Sequence, residues 1–146
     1  KTGPLRNPAD RDHCLQYVTV VALLHGDVRD DHYEDGAASD PRIDALRSRC
    51  VVREESRYSR DYLDPRKRSI ANAVRVVFRD GSLTERVEVE YPLGHPRRRD
   101  EAAPLLRRKL DVNLSAAGLG HRLELLLDDP GLPDLPVRDL VHALAA

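Results

Sequence analysis

Hydrophobic residues in this chain are most concentrated near its start. From residue 14 to residue 24 the sequence is apolar nearly all round, broken only by Gln16 and Thr19, and Gly26 follows as a stop. Ahead of this run Asn7 suits an N-cap, Pro8 the first helical position, and Asp10 the third, from which its carboxylate can reach back to the cap. The pattern predicts one helix over residues 7–24, buried on all sides, with a polar first turn at the mouth of a site. Short helices are expected near 30–35 and 41–49, the second with Asp40 as N-cap ahead of Pro41. Cys50-Val51-Val52 reads as a brief strand. The charged stretch 54–68 reads as an irregular connection with Asp64-Pro65 as a turn.

The periodicity then changes from helical to alternating. Residues 71–79 and 83–91 form two strand-like runs joined through Asp80-Gly81, a favoured hairpin turn. Val87, Val89 and Tyr91 alternate with Glu88 and Glu90, which predicts one apolar face covered by helices and one charged face. Arg75 and Arg79 are placed to pair with those glutamates across the ladder. A helix over 100–114 carries Leu105, Leu106, Leu110 and Leu114 near one stripe, with Pro104 tolerable only in its first turn. Further helices are expected over 119–127 and 135–144. The order of elements predicts an α+β fold, with a small antiparallel sheet around a central β-hairpin packed by helices on one face.

Composition narrows the picture. A length of 146 residues is one domain's worth. Aromatic residues are 4% of the chain, with no Trp, so the core must be built from Leu, Val, Ala and Ile. Charged residues make up 34% but nearly cancel to −1, so global charge steers no polyanion to the protein. No apolar run approaches the ~20 residues of a membrane span, and no signal peptide is evident. Cys14 and Cys50 are too few for a disulfide framework or a zinc site. A reduced, cytoplasmic setting is expected, without membrane or nucleic-acid partners.

Two places carry candidate chemistry. Asp10, Arg11, Asp12 and His13 crowd the start of the first helix, with Gln16 one turn further in. They could supply an ion-paired anchor and a His that titrates near neutrality. From the residues alone, a decorated first turn that suits the helix dipole explains them as well. His95, Arg97, Arg98 and Arg99 follow the second strand, where a guanidinium could take a carboxylate. Simple surface charge is the alternative there. Three arginines without interleaved aromatics speak weakly for nucleic acid. The remaining histidines, including His25, His32, His121 and His142, show no metal-ligand spacing.

With Gly3-Pro4-Leu5, the segment Asn7-Pro8-Ala9-Asp10-Arg11-Asp12-His13-Cys14-Leu15-Gln16-Tyr17 resembles the corresponding segment of the MmgE/PrpD family. The resemblance continues through Tyr33-Glu34-Asp35, Asp40-Pro41-Arg42-Ile43-Asp44-Ala45-Leu46-Arg47 and Asp61-Tyr62-Leu63-Asp64-Pro65. It resumes at Arg68-Ser69-Ile70-Ala71-Asn72-Ala73 and Val89-Glu90-Tyr91-Pro92-Leu93-Gly94-His95. It covers residues 3–114 and thins after Asn113, where Ser115-Ala116-Ala117-Gly118-Leu119-Gly120 shortens a link between helices. The chain has no Met, even at position 1, and opens mid-motif, so a piece of a longer protein is expected.

The resemblance implies a hydro-lyase, free of metal and cofactor, that dehydrates 2-methylcitrate to 2-methyl-cis-aconitate in propionate catabolism. It implies two domains, a large helical one lying upstream and a smaller α+β lid of which residues 1–146 would be most. The implied partners are a small tricarboxylate substrate, that helical domain, and a second copy in a homodimer. On this reading His13 is catalytic, and Asp10, Arg11, Asp12, Gln16, His95, Arg97 and Arg98 bind substrate, with no metal ligand among them. The principal acid and base are expected upstream. The alternatives are another activity on a polycarboxylate (aconitate decarboxylation, citrate dehydration or epimerisation) or a non-catalytic dimerisation or binding module.

Overall fold

The structure is a computed structural model, which describes residues 3–128 and 130–145. Where the length reads as one domain, the chain divides into two compact units, Lys1–Glu55 and Ser56–Ala146.

The first unit is helical. Asn7 caps α1 (Pro8–Asp12), its side chain accepting from the Asp10 amide at 2.8 Å. The Asp10 carboxylate does reach back, but to the Arg6 amide at 3.1 Å, one residue beyond the cap. The expected single helix is in fact two. Cys14 turns extended (φ −114, ψ 100), and α2 (Leu15–His25) starts afresh behind it. Neither Pro nor Gly forces this break. Tertiary anchors lie on both sides of it: Arg11 is tied to the 33–35 segment, and Cys14 and Tyr17 are sunk in the core. Gly26 ends α2 as expected, in the left-handed region (φ 82), its amide bonded to the Ala22 carbonyl.

A 3-10 turn (Asp30–Tyr33), α3 (Asp35–Ala38) and α4 (Pro41–Arg47) follow, with Asp40 capping α4 through the Arg42 amide at 2.9 Å. The core is Cys14, Tyr17, Val20, Val21 and Ile43, where α2 meets α4. Burial of α2 is one-sided rather than complete, since Leu15 and Leu23 are about half exposed. Cys50-Val51-Val52 is no strand, and both valines are open to solvent.

The second unit opens with a helix where an irregular connection was expected, α5 (Ser56–Leu63). Its buried position is filled by Asp61, which accepts from Lys67 Nζ at 2.8 Å, so no apolar stripe announces it. The Asp64-Pro65 turn is present, with the Arg66 amide donating to the Asp64 carboxylate at 2.9 Å. Arg68 then adopts φ +46, the one non-glycine among the described residues with positive φ.

The sheet is two antiparallel strands, β1 (Asn72–Val74) and β2 (Val87–Val89), paired Asn72 with Val89 and Val74 with Val87. The ladder resumes at a single bridge, Val77 with Leu83. Residues 75–76 thus face residues 84–86, a bulge of one residue on the second arm. Thr84 fills it, taking the Val76 amide on Oγ1 and giving its own amide to the Val76 carbonyl, both at 3.0 Å. The turn spans Arg79, Asp80 and Gly81, with Gly81 at φ 86 and its amide bonded to the Phe78 carbonyl. It is therefore a three-residue loop rather than a two-residue one.

The expected covering of the sheet is reversed. The face with Val74, Val87 and Val89 is open, and α5 reaches the face that carries Glu88. There Arg57 and Arg86 grip the Glu88 carboxylate, and Arg86 also meets the Tyr58 hydroxyl. Arg75 and Arg79 are not its partners. The ladder is too short to enclose a valine face, and the ion pairs decide which side the helix takes.

A 3-10 turn (Pro96–Arg98) leads into α6 (Arg99–Ala116), then α7 (Leu123–Leu127) and α8 (Val137–Ala145). Pro104 lies inside α6, past its first turn, where it withholds one amide. Leu114 and Ala102 are buried, whereas Leu105 and Leu106 are about half exposed. Arg107 holds Asp128 with two bonds, at 3.1 and 3.0 Å, fastening α6 to the end of α7.

Candidate functional site

The two candidate places lie in different units, the first in Lys1–Glu55 and the second in Ser56–Ala146. Each has its own geometry.

At the first, the break after α1 sorts the predicted residues into inner and outer sets. His13 is at the surface, its side chain 77% exposed. Its Nδ1 lies 3.0 Å from the Ala9 carbonyl. A carbonyl only accepts, so Nδ1 carries the proton and Nε2 is left as the basic nitrogen. The Asp12 carboxylate stands 3.6 Å from the same Nδ1. This is the arrangement of an oriented base with its outer nitrogen open to solvent.

Arg11 and Gln16 belong to the inner set. Arg11 is 5% exposed, Nη1 donating to the Tyr33 carbonyl at 2.5 Å and Nη2 to Asp35 at 2.6 Å, while buried Nε has no hydrogen-bond partner. Gln16 is buried beside the Cys14 thiol at 3.5 Å. The Tyr17 hydroxyl donates to the His32 carbonyl at 2.7 Å, and burial raises its pKa above the ordinary phenol value. A cavity of about 230 Å3 lies here, lined by Arg11, Tyr17, Asp35, Ser39 and Asp44 among others. Asp10 is engaged as a cap. Arg11 braces the 33–35 segment, a partnership that sequence spacing of more than twenty residues conceals.

At the second place, His95 accepts the Arg97 amide on Nδ1 at 3.2 Å, which leaves Nε2 as its protonated nitrogen, and its ring packs 4.5 Å from Tyr91. Each nitrogen of Arg98 has a protein partner. Nε and Nη2 go to Glu101 at 3.2 and 2.7 Å, and Nη1 to the Tyr91 carbonyl at 2.9 Å. Glu101 in turn is held below its ordinary pKa by Arg98. Arg97 gives only Nη2 to the protein, to the Arg66 carbonyl at 2.5 Å, and lies 4.9 Å over the Tyr91 ring. Nε and Nη1 of Arg97 therefore remain for a ligand. The 64–68 turn that meets Arg97 reads in the sequence as a turn and as part of the family motifs, but not as a neighbour of the 95–99 junction.

Among the described residues no group of His, Cys, Asp and Glu has the arrangement of a metal site. No described helix is long and apolar enough to cross a membrane.

Residues 1–123 match the MmgE/PrpD C-terminal domain, and the chain belongs to that family. It is 56% identical to a 2-methylcitrate dehydratase of Cupriavidus necator over 99% of its own length and 31% of that relative's. It is 46% identical to a 2-methylcitrate dehydratase of Escherichia coli (strain K12), over 95% of this chain and 30% of that protein. A mitochondrial 2-methylcitrate dehydratase of Yarrowia lipolytica is 49% identical over 78% of the chain. The chain thus spans under a third of the length of the curated relatives it matches.

Proposed function

We propose that this chain is the C-terminal, substrate-closing part of a 2-methylcitrate dehydratase, a hydro-lyase of propionate catabolism. The observation that carries the reading is 56% identity, over 99% of the chain, to a relative of that name. The reaction removes a proton alpha to a carboxylate, breaks the carbon–oxygen bond of the neighbouring hydroxyl, and releases water to leave the unsaturated tricarboxylate. It needs a base, an acid for the departing oxygen, and cations for the carboxylates.

In this reading His13 moves a proton through Nε2, with Asp12 beside its Nδ1. Arg11 and Gln16 hold that turn in place from within, and Asp10 holds it from outside through the Arg6 amide. Arg97 and His95 take a substrate carboxylate, and Arg98 braces them. The remaining acid and base come from the larger helical portion of the longer enzyme. The enzyme works as a cytoplasmic homodimer without metal or other cofactor.

The test is turnover of 2-methylcitrate by the full-length protein, followed as absorbance of the unsaturated product, beside His13→Ala and Arg97→Ala. Turnover that falls in both variants supports the reading. Absence of turnover on 2-methylcitrate and citrate refutes it. Full activity in both variants leaves the enzyme standing and removes these residues from its site.

A further inference from the structure

Two turns of the second unit meet where positive charge outruns negative. Arg97 fastens the 95–99 turn to the 64–68 turn through the Arg66 carbonyl. Between them the turns carry Arg66, Lys67, Arg68, Arg97, Arg98 and Arg99. Arg66 pairs with Asp64, Lys67 with Asp61 and Arg98 with Glu101. Arg68, Arg97 and Arg99 have no carboxylate partner among the described residues.

The backbone marks one of these three. Arg68 sits in the left-handed region at φ +46, and its neighbours leave it no alternative. Its own amide bonds the Asp64 carbonyl at 2.8 Å, the Ser69 amide the Asp61 carbonyl at 3.2 Å, and the Ile70 amide the Glu90 carbonyl at 3.2 Å. Gly or Asn would take this conformation at lower cost. Arg68 is exposed, and its guanidinium has no carboxylate partner among the described residues, so a strained backbone carries a cation open to an anion from solvent.

We infer that Arg68 acts with Arg97 as a binding pair for one carboxylate of the substrate, at the junction of the two turns. The planar guanidinium suits a carboxylate in a way an ammonium does not. Arg98 is set apart from the pair because its charge is already matched by Glu101 and each of its nitrogens has a protein partner. The inference rests on the dehydratase reading for the identity of the anion as a polycarboxylate.

Arg68→Asn in the full-length enzyme separates binding from architecture. Asn accepts the left-handed backbone, so the thermal midpoint holds or rises, while KM for 2-methylcitrate rises about tenfold or more with kcat nearly kept. Arg68→Lys keeps the charge but not the fork and recovers only part of the loss. Calorimetric titration with citrate, against sulfate as a plain-anion control, should weaken by a similar factor in Arg68→Asn. KM and citrate affinity within about twofold of wild type overturn the inference, whatever the stability does. Should the enzyme turn over neither 2-methylcitrate nor citrate, the dehydratase reading falls, and the titration alone decides. Equal citrate binding by wild type and Arg68→Asn, binding of sulfate as tight as citrate, or no binding at all then overturns the site.

Discussion

Truncating Arg11 to alanine tests whether a buried guanidinium holds the first unit together. Its Nη1 supplies a hydrogen bond to the Tyr33 carbonyl, and its stem is enclosed, the residue being 5% exposed. Loss of the donor leaves a part-buried carbonyl short of a partner, at roughly 1–3 kcal/mol. Loss of the enclosed methylenes adds about 1 kcal/mol. The Asp35 carboxylate is 87% exposed, so it returns to water at little cost. The expected destabilisation is about 2–4 kcal/mol. Asp35→Asn should cost well under about 1 kcal/mol, because an exposed partner of an ion pair contributes little. Urea unfolding followed by tyrosine fluorescence is the assay, since the chain has no Trp and the Tyr17 and Tyr33 rings stack in this unit. A loss below about 0.5 kcal/mol for Arg11→Ala, or equal losses for the two variants, would refute the reasoning.

Three further outcomes are expected. Glu88 is held down to about 2, first by the Tyr58 hydroxyl and then by Arg57 and Arg86, against an ordinary value of 4.5. Its stabilisation is present above that ordinary value and fades as pH falls toward about 2, so acid unfolding of Glu88→Gln and wild type should converge across that window. A gap that persists at the acid end would remove Glu88 as its source. Gly81→Ala has open space around the added carbon but a φ of 86, so the hairpin should lose about 1 kcal/mol through backbone strain alone, with Gly81→Asn costing less by thermal melting. Pro104→Ala returns an amide to the interior of α6 and should stabilise the second unit by up to about 3 kcal/mol, read as a higher urea midpoint.

Features governed by neighbouring residues were legible in the sequence. The Asn7 and Asp40 caps, the prolines behind them, the Gly26 stop and the Asp64-Pro65 turn all appear where the local chemistry puts them. What escaped depends on contacts distant along the chain. No local signal separates α1 from α2, because the break at Cys14 answers to Arg11 and its partners at 33–35. Helix α5 was hidden because its buried position is an aspartate satisfied by Lys67. The covered face of the sheet was misread because alternation reports which residues share a face, not which face a helix will choose. Of the candidate site, residue types and neighbourhoods were readable, but their employment was not. Arg97 and Arg98 look alike in sequence, and only a count of nitrogens already bonded tells the available one from the spent one.

The extra residue in the second hairpin arm also bears on how this segment can change by descent. Because residues 75–76 stand opposite 84–86, Leu83 shares a side with Val77 and Ala73 instead of with Val87 and Val89. Losing one residue from 84–86 would remove the offset and leave Leu83 opposite Val77 in an unbroken ladder. Losing a second would reopen a one-residue offset, now on the first arm. Length variation in this arm should therefore be confined to that single residue, or be matched by a change between Val74 and Val77, wherever the hairpin is inherited intact.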